Sequence, residues 1–216
     1  MKSKEKEKLL KDADDMLQNS NNYNDSYQYY RILGEEGVTE SLFEYGRFLY
    51  FGWAGRKNLK KAFQIFLKGA VRGEVMCQWF LANCYEAGEG VEKNDKEAFF
   101  WMKEAADGNN PFAINALSAY YHDGIGTAKD LVKSVELTKK MADSDSCSSA
   151  QAKNNLAFAY LNGEGVEQDL EKAKHYFKLA IESGCQGEYY RNSTIEGAKN
   201  GNPDDKKMLD LCGIEY

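Results

Sequence analysis

Glycine recurs in this chain on a fixed beat: Gly52, Gly88, Gly124 and Gly163 follow one another at intervals of 36, 36 and 39 residues. A period of this size marks one supersecondary unit repeated and stacked, because so short a unit cannot bury its apolar face alone. The 216 residues hold only two prolines beside 19 glycines. Most of the chain is therefore free to be helical, and the glycines act as punctuation.

Four stretches align without internal gaps: YGRFLYFGWAGRKNLKKAFQIFLKGAVRG from Tyr45, LANCYEAGEGVEKNDKEAFFWMKEAADGN from Leu81, LSAYYHDGIGTAKDLVKSVELTKKMADSD from Leu117 and LAFAYLNGEGVEQDLEKAKHYFKLAIESG from Leu156. The three extra residues before the fourth fall in the serine-rich SDSCSSA segment, so the irregularity lies between repeats. Each stretch reads as two helices. The first sets bulky, small and bulky residues on one face, as in Leu81/Ala82/Tyr85, Leu117/Ser118/Tyr121 and Leu156/Ala157/Tyr160, with Tyr45/Gly46/Leu49 as a looser version. Glycines then end it, since positive φ at a helix C-terminus costs glycine least. Asn58, Asn94, Asp130 and Asp169 stand where the second helix needs an N-cap. Ala62, Ala98, Ser134 and Ala173 follow, each three residues before Ile65, Trp101, Leu137 or Tyr176, on a face that packs tightly against other helices.

This pattern resembles the Sel-one-like repeat family, relatives of the tetratricopeptide repeats, most closely in YEAGEGVEKNDKEAFFWMKEAADGN and YLNGEGVEQDLEKAKHYFKLA. The resemblance implies an all-α fold: an α/α solenoid, a right-handed superhelix of five to six antiparallel helix pairs. Repeats are expected over 38–73, 74–109, 110–145 and 146–184 of a single solenoid domain, with degenerate capping units over 1–37 and 185–216. In the first cap a helix is expected from Lys4 to Leu17. In the last, helices are expected over Glu188 to Lys199 and, behind Asn202-Pro203, over Asp204 to Leu211. The first full repeat departs from the family at Ala54 and Gly55, where glycine and valine are usual, which predicts a different turn.

Lys+Arg number 28 against 34 Asp+Glu, a net charge of −6, with no basic stripe to neutralise phosphates, so nucleic acid is not an expected partner. No run of apolar residues is long enough to insert in a membrane, and Met1 to Lys11 is charged, which reads as cytoplasmic. Five cysteines (Cys77, Cys84, Cys147, Cys185 and Cys212) at irregular spacings do not form a secreted disulfide framework. Cys77 and Cys84, seven residues apart on one helix, lie about 10 Å apart along its axis and cannot bridge. There are two histidines, His122 and His175. His122 beside Asp123 is the one pair on which a hydrolase would centre, but no partner stands at metal-ligand spacing and no nucleophile with a base is evident. The GxG turns lack the lysine and serine of a phosphate-binding loop. No catalytic residue, metal or cofactor is assigned.

What remains is a surface. In the tetratricopeptide-like arrangement the first helices line a concave groove. Carried onto this sequence, the groove positions are Phe43, Arg47, Tyr50 and Phe51; Met76, Trp79, Asn83 and Glu86; Phe112, Asn115, Ala119 and His122; and Gln151, Asn154, Phe158 and Leu161. Aromatic, Met, Arg and amide side chains are favoured at protein-binding surfaces, and Asn83, Asn115 and Asn154 suit a peptide backbone. The expected function is a non-enzymatic, monomeric adaptor for a protein or peptide segment, and family members serve in signalling, host interaction and toxin neutralisation. The alternative is a self-assembling structural element docked through the terminal segment NPDDKKMLDLCGIEY.

Overall fold

A computed structural model describes residues 1–19, 22–143, 148–184 and 186–216. Cys147 and Cys185, and most of the serine-rich insertion, lie outside the described residues. Among the described residues all regular structure is helical, in six successive pairs. These are α1 (Ser3–Asn19) with α2 (Tyr23–Glu35), α3 (Glu40–Phe51) with α4 (Leu59–Ala70), α5 (Val75–Ala87) with α6 (Asp95–Asp107), α7 (Pro111–Asp123) with α8 (Leu131–Ala142), α9 (Ser148–Asn162) with α10 (Leu170–Ile181), and α11 (Gly187–Lys199) with α12 (Pro203–Cys212). The expected helix pairs are all present, including those of both terminal units. The chain divides into two compact units, Met1–Asn110 and Pro111–Tyr216.

The capping residues act as the spacing predicts. The Asn58 side chain accepts the Lys61 amide at 3.0 Å, and Asn94 accepts those of Lys96 and Glu97 at 3.1 and 3.2 Å. Each of these two amide caps contributes about 1 kcal/mol. Asp130 and Asp169 accept the Lys133 and Lys172 amides, both at 3.0 Å. These bonds, with the adjacent lysines, hold both carboxyls below the usual carboxylate range.

The loop glycines are needed for two reasons. Gly88 and Gly163 both turn at φ 72°, and a second glycine follows at Gly90 (78°) and Gly165 (70°). At Gly90 and Gly165 the backbone also lies against the start of the preceding repeat's second helix, where a Cβ would overlap the carbonyl oxygen of Leu59 or Leu131. In the first full repeat Ala54 occupies that second position and the positive φ moves to Gly55, at 150°. The departure in sequence is thus a departure in turn.

In the first unit Tyr30, Leu42, Tyr45, Phe48, Phe66 and Leu81 are buried together, and the Phe66 ring lies so close to Gly46 that a Cβ there would overlap it. Each such side chain contributes about 1.5–3 kcal/mol by leaving water. Cys77 and Cys84 lie on α5 as free, buried thiols. Burial, with Glu89 nearby, pushes the Cys84 thiol up to about 12, and burial raises Cys77 as well, so both are inert at neutral pH. In the second unit Leu161, Phe177, Met208 and Leu209 form a fully buried cluster that ties α9 and α10 to α12.

Candidate functional site

The first helices of the two units present different faces. On α3 and α5 the expected groove residues are largely engaged with one another. Phe43 packs on Phe80 with ring centres 5.5 Å apart, and Trp79 meets Phe80 edge-on at 5.0 Å. The Arg47 guanidinium lies over Phe43 at 5.2 Å and over Trp53 at 4.7 Å while pairing with Glu44 at 2.7 Å. Tyr50 packs against Phe66 and Phe80, and its hydroxyl donates to Glu89 in the next repeat's loop. Burial, and then this bond, raises its pKa. Phe51 is 48% exposed and stacks on Trp53 at 4.9 Å, a residue the sequence reading missed. Met76 is half-buried and receives the Asn110 amide on its sulfur at 3.1 Å; Asn83 and Glu86 are half-buried on α5.

In the second unit the equivalent face opens into a cleft of about 440 Å³ between α7, α8 and α9. Its origin is legible in the repeat columns. Phe66, Met102 and Phe177 are fully buried at one repeat position, where the third repeat has Thr138. Phe80 on α5, buried against Phe66, corresponds to Asn155 on α9, which lines the cleft with Thr138. The buried Ala82 and Ala98 become Ser118 and Ser134. The large side chains that fill the first unit are therefore missing, and hydroxyls floor the space. Ser118 Oγ lies 3.0 Å from Ser134 Oγ and 2.8 Å from Thr138 Oγ1, and the Thr138 hydroxyl donates to the Ser134 carbonyl at 2.8 Å.

The rim carries charge. His122 Nδ1 is 2.7 Å from Asp123 Oδ1, and His122 Nε2 is 3.8 Å from Glu164 Oε2, all three being about half exposed. His122 occupies the repeat position of Tyr50, and Glu164 that of Glu89, so this contact is the second unit's version of the Tyr50–Glu89 tie between a first helix and the next loop. That periodic equivalence gives the histidine a structural counterpart in the first unit. The Ser118 hydroxyl, one helical turn before His122, is engaged at the cleft floor with Ser134 and Thr138. Among the described residues no group of three or more His, Cys, Asp or Glu could hold a metal ion.

Of the residues expected on this face, Asn115, Ala119, His122, Gln151 and Phe158 line the cleft. Two do not. Leu161 is fully buried, because α11 and α12 pack on α9 and enclose that side of the helix. Asn154 is half-buried with its Oδ1 shielded from solvent, and its neighbour Asn155 faces the cleft instead. Phe112, at the start of α7, is 53% exposed. Sequence reasoning also passed over Ser118, Ser134 and Thr138 as site residues; the signal was their polarity in columns that are otherwise glycine or alanine, or large and apolar.

The Sel1 repeat model matches residues 39–73, 75–110, 111–146 and 150–185. The chain belongs to the Sel1 repeat family. Among curated relatives, an exopolysaccharide production negative regulator of Rhizobium meliloti is 31% identical over 169 residues, which span 70% of this chain and 61% of that protein. The chain therefore covers about three fifths of that relative's length. Among solved structures, c5321, a protective antigen of uropathogenic Escherichia coli displaying an SLR fold, superposes with a TM-score of 0.80 at 19% identity over 96% of this chain and 45% of that one. A Sel1 repeat protein from Oxalobacter formigenes gives 0.75 at 20% identity over 96% and 87%. These likenesses establish the fold, an α/α repeat solenoid. No helix among the described residues is long and apolar enough to cross a membrane.

Proposed function

We propose that this protein is a non-enzymatic adaptor that binds an extended protein segment across α7 and α9, with the cleft between them as the anchoring socket. The observation that carries this reading is the cleft's construction. Thr138 stands where the other three repeats bury Phe66, Met102 and Phe177, and Asn155 stands where Phe80 packs on Phe66 in the first unit, so that packing is forgone. An unfilled space of this kind sacrifices dispersion contacts and favours a ligand that supplies them. The amides of Asn115, Gln151 and Asn155 stand along its edge, suited to the donors and acceptors of a peptide backbone. Repeat proteins of this architecture present extended surfaces for such partners.

The test is a selection from a displayed library of random peptides on the full chain, followed by rebinding to the variant S118A/S134A/T138M. That variant restores the alanines and methionine of the second repeat, and the longer side chain at 138 is expected to fill the socket. Enriched peptides that lose binding to the filled variant support the reading. Peptides that bind both forms equally remove the cleft from consideration.

A further inference from the structure

Building on that reading of the cleft, we infer that its occupant is an arginine side chain of the bound segment. The first unit supplies an internal precedent. Its face holds its own arginine, Arg47, with the guanidinium over two aromatic rings and paired to Glu44. At the same repeat position the third repeat has Ala119, which lines the cleft. The partners of Arg47 are not repeated there, since Phe43, Glu44 and Trp53 correspond to Asn115, Ala116 and Ile125, and the groups that could receive an arginine are instead the cleft's own.

The cleft is acceptor-rich. Asp123 and Glu164 stand on the rim with His122 between them, each keeping carboxylate lone pairs for a further donor, and among the described residues no lysine or arginine lines the cleft. On the floor, three hydroxyls provide three protons but six lone pairs, and the Thr138 proton is directed to the Ser134 carbonyl. A ligand group that only donates hydrogen bonds matches this surface. The guanidinium is such a group: it carries five N–H donors in a planar fork and no acceptor. Its aliphatic stem matches the apolar lining at Leu131, Val135, Leu156 and Phe158. A lysine brings a point charge to the same rim but lacks the fork that reaches carboxylate and hydroxyl together. The protein's net charge of −6 favours approach of a basic segment.

The experiment uses peptides enriched on the full chain from a displayed random library and resynthesised with single replacements. Arginine is expected in the enriched set, at a position where citrulline, its neutral isostere, weakens binding about tenfold, lysine by less and norleucine by more. The double variant Asp123→Asn/Glu164→Gln is expected to bind the arginine peptide about tenfold more weakly and to distinguish poorly between arginine and citrulline. Peptides that lose binding to S118A/S134A/T138M yet bind equally with citrulline would overturn the arginine assignment while leaving the cleft as a binding site. Failure to enrich any peptide that responds to the filled variant overturns both.

Discussion

Phe66 in the first unit and Thr138 in the second occupy the same place in the repeat, and the two units differ most around them. Phe66 is fully buried, against Gly46 on one side and Phe80 and Tyr50 on the other, so α3, α4 and α5 are sealed by rings. The Thr138 side chain makes hydroxyl bonds, and Asn155 stands where Phe80 would complete the packing, which leaves room between the helices. The backbone devices are common to both: glycines of positive φ close the loops, and side-chain caps open the second helices. The lesson is a division of labour in one repeat pattern. Loop and cap positions fix the frame, and a few core columns decide whether a unit is filled or left open to a partner.

The largest contrast to test lies in those columns. Phe66→Ala should cost about 3–5 kcal/mol and Thr138→Ala about 1 kcal/mol. All three tryptophans (Trp53, Trp79 and Trp101) lie in the first unit, so their fluorescence during urea unfolding follows that unit alone, while far-ultraviolet circular dichroism follows the whole chain. Equal losses for the two variants would break the comparison.

The shared frame makes the next prediction. Gly90→Ala in one unit and Gly165→Ala in the other should each cost about 2 kcal/mol or more, since both combine a positive φ with overlap onto a carbonyl oxygen. Gly88→Val, strained by φ alone, should exceed the ordinary ~1 kcal/mol of a point substitution. Thermal melts check all three, and a milder effect at Gly165 than at Gly88 would contradict the close approach seen at the former.

Filling the open unit should help stability a little. S118A/S134A/T138M is expected to raise it by about 1 kcal/mol, as cavity-filling changes do, so its loss of binding cannot be blamed on unfolding. A lower melting temperature would mean that the hydroxyl network outweighs the empty space.

The smallest effect separates the caps by pH. The first unit's repeat caps, Asn58 and Asn94, do not titrate, whereas Asp130 and Asp169 in the second have lowered pKa values. A carboxyl whose pKa is lower folded than unfolded stabilises above its unfolded pKa and loses that contribution as pH falls through its folded value. Between about pH 5 and pH 2, therefore, Asp130→Asn/Asp169→Asn should lose less stability than the unaltered chain, because asparagine caps without titrating. Parallel acid titrations of the two proteins would show otherwise if these caps are uncoupled from folding.

Much of the frame was legible in the sequence. The caps at Asn58, Asn94, Asp130 and Asp169, the turn change at Ala54 and the terminal helices follow from local chemistry that recurs once per repeat. Accessibility of the groove residues was less legible. Leu161 shares its helix with cleft-lining Phe158 but is enclosed by helices beyond the regular repeats, which no repeat column encodes. Tyr50 and Arg47 have the composition of a binding surface, yet their own neighbours occupy them. Thr138 stood in plain view, but a small residue in a large column opens a cleft only if the backbone does not collapse onto it, which depends on three helices at once.

The central claim is that the second unit is the open one. It is tested most directly by titrating an enriched peptide into the isotope-labelled full chain and following backbone amide shifts. Perturbations are expected to concentrate on α7, α8 and α9, with Ala119, His122 and Phe158 among the strongest. Shifts centred on α3 to α5, around Phe51 and Trp53, would contradict it.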